Sequence, residues 1–111
     1  MRSPAGSTPD PVQTVVLKRV TIVAEAVLEQ RLIALIRESG SKGWTLLDCR
    51  GEGSRGVRAS EWEGSNFKLE TLVAPTVADK ILARLARDYF EHFAVVAYVQ
   101  DVRVVRGDKY V

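Results

Sequence analysis

The sequence predicts an α+β fold of the ferredoxin-like type, a four-stranded antiparallel sheet with two helices on one face. The length of 111 residues, with 46% hydrophobic and 27% charged residues, suits one folded domain with one core. Strand-like and helix-like segments follow one another in the order β-α-β-β-α-β, which is the split βαβ arrangement. The elements are justified below in chain order.

The first strand and helix are predicted between residues 15 and 40. β-branched residues dominate Val15 to Val23, which is typical of a strand. Gly40 is expected to end the following helix in a left-handed conformation. That helix, at about residues 26–39, has an apolar face because its aliphatic side chains recur at helical spacing: Leu28, Leu32, Leu35 and Ile36.

The second half of the chain contains the other helix. Thr76 is predicted as its N-cap, since Asp79 follows three residues later in capping-box spacing. Its apolar stripe is formed by Val77, Ile81, Leu85 and Tyr89. Strands are predicted at about residues 44–50, 66–73 and 93–105, the last bent or split near Gln100 and Asp101.

Residues 1–14 are predicted to be a disordered N-terminal arm, and residues 15–111 the folded domain. Three of the four prolines lie in the arm among Ser, Gly and Thr. Such a segment has little apolar surface to offset the entropy of ordering. No apolar segment follows Arg2, so a signal peptide is not expected.

Composition and charge exclude several classes of function. The net charge of +2, from 16 basic and 14 acidic residues, gives no reason to expect nucleic acid or membrane binding. The single cysteine, Cys49, allows neither an internal disulfide nor a Cys/His zinc site. No apolar run approaches the ~20 residues of a membrane span. We therefore expect a cytoplasmic protein without a metal centre, a nucleic-acid partner or direct membrane insertion.

The predicted strands are apolar on both faces, most clearly at Ala94–Val99. Two helices cover only one face of the sheet, so the other would expose an apolar patch that monomers rarely tolerate. Four or five buried side chains at roughly 1.5–3 kcal/mol each would stabilise an assembly. The sequence therefore predicts a closed homo-oligomer with its sheets facing inward. A valine-rich strand in a monomer is the alternative.

A long loop, residues 51–65, joins the second and third strands. Hairpin connections normally take about 2–5 residues, and longer loops are mostly functional or disordered. Its glycines can expose backbone N–H groups to an anion, and two arginines three residues apart can grip phosphate oxygens. A solvated flexible loop fits the pattern equally well. The candidate phosphate ligands are Gly51, Gly53, Ser54, Arg55 and Arg58.

Four segments in this order resemble the PII superfamily, most closely the PII-like proteins of inorganic-carbon acquisition, the SbtB and carboxysome-associated (CPII) types. The segments are residues 43–46, 51–58, 65–70 and 89–99. The resemblance runs from Lys18 to Arg106. It implies a homotrimer whose sheets face a common centre, with nucleotides in the clefts between subunits, under the base of the long T-loop (about residues 51–65).

The resemblance also assigns roles to residues. The phosphate side would be the loop ligands named above. The adenine and ribose side would be Gly43, Thr45 and Glu70, with backbone groups offered to the base by Ala94 and Val95. Arg103 and Arg106 resemble basic positions that reach the phosphates from the adjacent subunit; ordinary exposed strand arginines are the alternative.

Departures from the family pattern narrow the expected ligand. The lysine-bearing glycine-rich loop of nitrogen-sensing PII proteins is replaced by residues 91–95. Tight triphosphate and 2-oxoglutarate binding is therefore not expected, and ADP, AMP or cyclic AMP (cAMP) is. No tightly bound cofactor is expected, and bicarbonate is a candidate second ligand. No cysteine follows Arg50, so the redox control of many SbtB proteins is not expected either.

By resemblance, the chain would be a regulator rather than an enzyme. It would control bicarbonate uptake or carboxysome function by docking its T-loop on a membrane bicarbonate transporter or a carboxysome-related protein. Trp62 could anchor such a partner, as interface aromatics do, or pack on its own subunit. Two alternatives remain open: a ferredoxin-like oligomeric module that senses a small molecule or metal, and a slow nucleotide phosphohydrolase.

Overall fold

Four strands form one antiparallel sheet in the computed structural model, which describes residues 12–51 and 65–111. The elements in chain order are β1 (Thr14–Glu25), a first 3₁₀ turn (Ala26–Leu28), α1 (Glu29–Ser39), β2 (Thr45–Cys49), β3 (Asn66–Val73), α2 (Pro75–Asp88), β4 (Val96–Val105) and a final 3₁₀ turn (Gly107–Tyr110). None of the helices within this described part is long and apolar enough to span a bilayer.

The strand order is β2-β3-β1-β4, and every neighbouring pair is antiparallel. This confirms the predicted ferredoxin-like βαββαβ fold. The central strand β1 pairs with β3 from Lys18 onward and with β4 from Thr14 onward. Residues 14–17 therefore pair with β4 alone, and β1 and β4 extend beyond β3 as a two-stranded ribbon.

The hydrophobic core lies between the two helices and one face of the sheet. The predicted helical stripes are confirmed, with Val77 only partly buried. Alternate residues of the two central strands supply the sheet side of the core, as a half-covered antiparallel sheet requires. The largest buried core side chains are Ile22, Leu28, Leu32, Leu35, Ile36, Phe67, Leu69, Ile81 and Leu85.

The opposite side of the sheet, here called the open face, is turned away from α1 and α2. Leu47, Val96 and Tyr98 are 52%, 59% and 42% exposed there. The predicted apolar character holds at about half of the positions, because polar and charged residues alternate with the apolar ones. In cross-strand register, the open face consists of Arg19, Thr21, Val23, Thr45, Leu47, Lys68, Glu70, Leu72, Val96, Tyr98 and Gln100.

The two helix ends predicted from the sequence had different outcomes. Gly40 ends α1 with φ 119°, and Ser41 N–H donates to the Ile36 carbonyl at 2.9 Å, which confirms the prediction. The N-cap prediction for α2 was wrong: the cap is Ala74, and Thr76 is already helical. Pro75 explains this, since its fixed φ suits the first helical position and keeps the preceding residue extended.

The last strand begins later than predicted, at Val96 rather than near Phe93. Phe93 N–H donates to the Tyr89 carbonyl at 2.9 Å, and Val95 N–H donates to the Phe93 carbonyl at 3.0 Å, so the chain turns before β4. The predicted bend is absent from β4, because its pairing with β1 runs unbroken from Val96 to Val105.

The N-terminal boundary also differs by one residue. Thr14 already lies in β1, opposite Val105. The rest of the predicted arm, apart from residues 12 and 13, lies outside the described residues.

Candidate functional site

Thr45 and Glu70, predicted to share the adenine and ribose side, are direct cross-strand partners on the open face. Their row continues through Thr21 of β1 to Tyr98 of β4. The Thr21 side chain is fully buried, and its Oγ1 has no hydrogen-bond partner within the described ranges. Buried hydroxyls are normally satisfied, so this row is a place where a further polar group is required.

Gly43 is held beside this row by two hydroxyl groups. Thr71 Oγ1 donates to the Gly43 carbonyl at 2.7 Å, and Ser41 Oγ donates to the same carbonyl at 3.0 Å. The two hydroxyl oxygens lie 2.6 Å apart. The network fixes the loop that enters β2, and therefore the start of the strand that carries Thr45.

Sequence reasoning missed Ser41 and Thr71. The available signal was Thr71 itself, a hydroxyl residue at a position that shares a face with Phe67 and Leu69. A buried polar side chain in an apolar alternation needs a partner, and here the partner is the loop after α1.

Gly51, Ala94 and Val95 lie near the other end of the sheet, where β2 ends and β4 begins. Gly51 does not have the positive φ that the sequence predicted; among the described glycines, Gly40 does. The Val95 N–H donates to Phe93, so it is not free for a ligand. The Ala94 N–H has no backbone partner among residues 12–51 and 65–111, and it remains the candidate donor of this segment.

Arg103 and Arg106 lie at the opposite end, on and just after the β1–β4 ribbon. Arg103 pairs in register with Val16, and its Nε donates to Thr14 Oγ1 at 3.2 Å. Arg106 has a left-handed conformation, φ 62°, directly before the final 3₁₀ turn. Both arginines are exposed.

The predicted ligand residues are thus divided between distant parts of one chain. Val95 and Arg106 flank the ten-residue β4, whose rise of about 3.3 Å per residue separates them by roughly 30 Å. An arginine side chain cannot bridge that distance. Within one chain, Arg106 and Ala94 therefore cannot contact the same small ligand, and a second copy would have to supply one of them.

Five predicted residues cannot be placed in this arrangement. Gly53, Ser54, Arg55, Arg58 and Trp62 lie outside the described residues.

Two ion pairs lie away from these groups. Lys18 binds Asp101 on the ribbon side of the sheet. At the end of α2, Arg87 donates from Nε to Asp88 at 2.8 Å, and this hydrogen bond holds the pKa of Asp88 below its usual value. Neither pair occupies the positions predicted to face a ligand.

Comparison with known proteins gives a consistent result. The family described as nitrogen regulatory protein P-II matches residues 17–109. A protein from Thermus thermophilus described as PII-like in signalling is 56% identical, with 88% of this chain and 98% of that chain covered and a TM-score of 0.78.

Two solved structures of CPII from Thiomonas intermedia K12 have the same fold at 23% identity. One is bound to ADP and bicarbonate and covers 91% of this chain and 100% of its own, with a TM-score of 0.80. The other is bound to ADP, AMP and acetate and covers 89% of this chain and 98% of its own, with a TM-score of 0.78.

Proposed function

The chain belongs to the P-II family, and from this premise we propose that it is a regulatory protein that binds an adenine nucleotide between the subunits of a homotrimer. ADP and AMP are the proposed effectors. They are bound in the similar CPII structures, and they need no lysine-bearing loop before β4. The protein acts as a sensor rather than as an enzyme.

The separation of the predicted ligand groups is the observation that carries the proposal. In a closed ring of identical subunits, each interface joins two different surfaces, so the end of β4 in one copy can meet the Thr45–Glu70 row of the next. Arg103 and Arg106 then contact the phosphates of a nucleotide whose base lies on the neighbouring subunit. One chain with the groups roughly 30 Å apart does not form this site alone.

The composition of the open face supports burial against other copies. Arg19 Nε, like Thr21 Oγ1, is buried and has no partner among the described residues. Each unsatisfied buried group costs about 1–3 kcal/mol, and a neighbouring subunit can supply acceptors. Five apolar side chains on the same face, among them Leu47, Val96 and Tyr98, add a hydrophobic contribution. The number of three subunits comes from the family resemblance.

The regulated process is proposed to be inorganic-carbon uptake or carboxysome function in the cytoplasm. Nucleotide binding shifts the T-loop between two states, and one state docks on a bicarbonate transporter or a carboxysome-related protein, with Trp62 as an anchor. The shift can be no larger than the difference in nucleotide affinity between the two states. Bicarbonate is proposed as a second ligand, because it is bound in one similar CPII structure and suits the same arginines.

Isothermal titration calorimetry tests the proposal with ADP, AMP and cAMP, each with and without bicarbonate. Wild type is expected to bind ADP or AMP at one site per chain. Arg58→Ala and Arg106→Ala should each weaken binding about tenfold or more, since a hydrogen bond to a charged group contributes about 1.5–3 kcal/mol. Arg84→Ala is the matched control, because Arg84 binds Glu38 on the helix layer at 3.0 Å.

The alternatives predict different results. A folded oligomer that gives no heat with any of the three nucleotides would favour a module for another small molecule or a metal. Release of ADP and phosphate from ATP, abolished by Arg55→Ala, would favour a phosphohydrolase. Equal losses in Arg106→Ala and Arg84→Ala would contradict the assignment of Arg106 to the phosphates.

A further inference from the structure

An aromatic pair anchors the turn that connects α2 to β4. Tyr89 is almost completely buried in the core, and its ring centroid lies 5.6 Å from that of Phe93 at an interplanar angle of 45°. The Tyr89 carbonyl accepts hydrogen bonds from the backbone N–H groups of His92 at 3.2 Å and Phe93 at 2.9 Å. The conformation of the turn therefore depends on how these two rings are held.

Arg31 of α1 contacts both rings from outside. Its guanidinium carbon lies 5.2 Å from the Tyr89 centroid and 5.5 Å from the Phe93 centroid, within the range of cation–π attraction. Among the described residues, no carboxylate lies within ion-pair distance of Arg31. The aromatic pair is thus the contact that orients this side chain, and it links α1 to the turn before β4.

We propose that Arg31 is a positioning residue that clamps Tyr89 and Phe93 and so fixes the backbone N–H of Ala94 for discrimination of the nucleotide base. The inference rests on the proposed function. Ala94 follows Phe93 directly, so a change in the setting of the Phe93 ring moves the Ala94 amide. Hydrogen bonds weaken steeply with misalignment, and a displaced donor is a poorer partner for a bound base.

The chemistry of the two purine bases makes the role measurable. Adenine has a hydrogen-bond acceptor at ring position N1, whereas guanine has an N–H donor there. A fixed backbone N–H therefore attracts adenine and opposes guanine, and a donor that is free to move separates them less. Arg31 is expected to affect the ratio of ADP to GDP affinity, while a phosphate ligand such as Arg106 affects both affinities alike.

Two substitutions at one position isolate the cation from the packing of the side chain. Arg31→Gln keeps much of the stem and removes the charge, and Arg31→Lys keeps the charge. Calorimetry should show ADP affinity about two- to fivefold lower in Arg31→Gln, the size expected of an exposed cation–π contact, with GDP affinity changed less. Arg31→Lys should recover most of the ADP-to-GDP ratio. Arg37→Gln is the control, since Arg37 lies 6.0 Å from the Trp44 ring on the same helix.

Amide hydrogen exchange of the ligand-free protein gives a second measurement. Exchange in a peptide covering residues 89–95 should be faster in Arg31→Gln than in wild type, and unchanged in Arg37→Gln. An unchanged ADP-to-GDP ratio in Arg31→Gln, with wild type binding ADP, would overturn the role of Arg31 alone. The same ratio change in Arg37→Gln would also overturn it. Wild type that binds no ADP would overturn the proposed function and this role together.

Discussion

Gly107 shows at the residue scale how tightly the end of the chain packs near the proposed ligand arginines. A Cβ at this position would lie 2.8 Å from Val15 Cβ and 3.5 Å from Val104 Cβ, a space that no side chain fits without movement. The final 3₁₀ turn therefore lies directly on the ribbon. Arg106, in its left-handed conformation, connects the ribbon to this turn. Nothing in the local sequence predicts the contact, because it arises between segments that are distant in the chain.

Gly107→Ala should lower the free energy of unfolding by about 1–3 kcal/mol, as overpacking of a filled site does. Urea unfolding monitored by circular dichroism measures the change. Gly43→Ala is the control, since a Cβ at Gly43 meets no atom within 4 Å and its φ is not positive. Equal midpoints for the two variants would show that the final turn does not pack on the ribbon as described.

Gly40, by contrast, was predicted from the sequence alone. A glycine after a periodic apolar stripe is a local pattern, and the left-handed ending needs no tertiary information. The hydroxyl pair of Ser41 and Thr71 was missed because its members lie 30 residues apart and meet only in the folded chain. Local rules therefore reached the helix ending, and they did not reach the network that fixes Gly43.

Element boundaries were predicted less well than the elements themselves. The helical stripes were correct because a period of 3.6 residues is visible over several turns. The start of β4 was wrong because Phe93–Val95 is as apolar as a strand, although its backbone closes a turn onto Tyr89. For α2, the capping-box spacing at Thr76 was outweighed by Pro75, which places the cap one residue before itself.

Ala74→Ser should stabilise α2, because Ala74 has the extended conformation of an N-cap, φ −67° and ψ 156°, without a side-chain hydrogen bond. A serine there can accept from the free N–H groups of the first turn and should add about 0.5–1 kcal/mol to the free energy of unfolding. Thermal or urea unfolding measures the gain. Thr76→Ala, at a position already inside the helix, should cost much less than a lost cap. A loss of about 1 kcal/mol or more in Thr76→Ala would restore Thr76 as the cap.

The open face belongs to the scale of the whole molecule. Its apolar half was predicted from strands that lack a clean alternation, and its polar half was not. Thr45 and Glu70 were paired through family resemblance, since sequence spacing alone does not reveal cross-strand register. The separation of the ligand groups by the length of β4 could not be predicted without the sheet order, and it is what makes a second copy necessary.

Burial of the open face between copies predicts a specific sensitivity to charge. Wild type should have the light-scattering mass of three chains at micromolar concentration, and Val96→Glu should lower it, because the new carboxylate would be buried without a partner. Val27→Glu is the control: Val27 is 68% exposed, against 59% for Val96, and it lies on the first 3₁₀ turn away from the open face. A wild-type mass of one chain, or equal effects of the two substitutions, would contradict the assembly.

Mixing two binding-deficient variants tests most directly whether each nucleotide site is shared between copies. Arg58→Ala and Arg106→Ala remove phosphate ligands assigned to opposite sides of the proposed cleft. Each variant alone should bind ADP about tenfold or more weakly. After unfolding and refolding together in equal amounts, random assembly in a ring should leave about one quarter of the sites with both arginines intact. Calorimetry should then detect ADP binding of wild-type affinity at about that fraction of sites. A mixture that binds ADP no better than the separate variants would place both arginines on one chain and contradict the shared site.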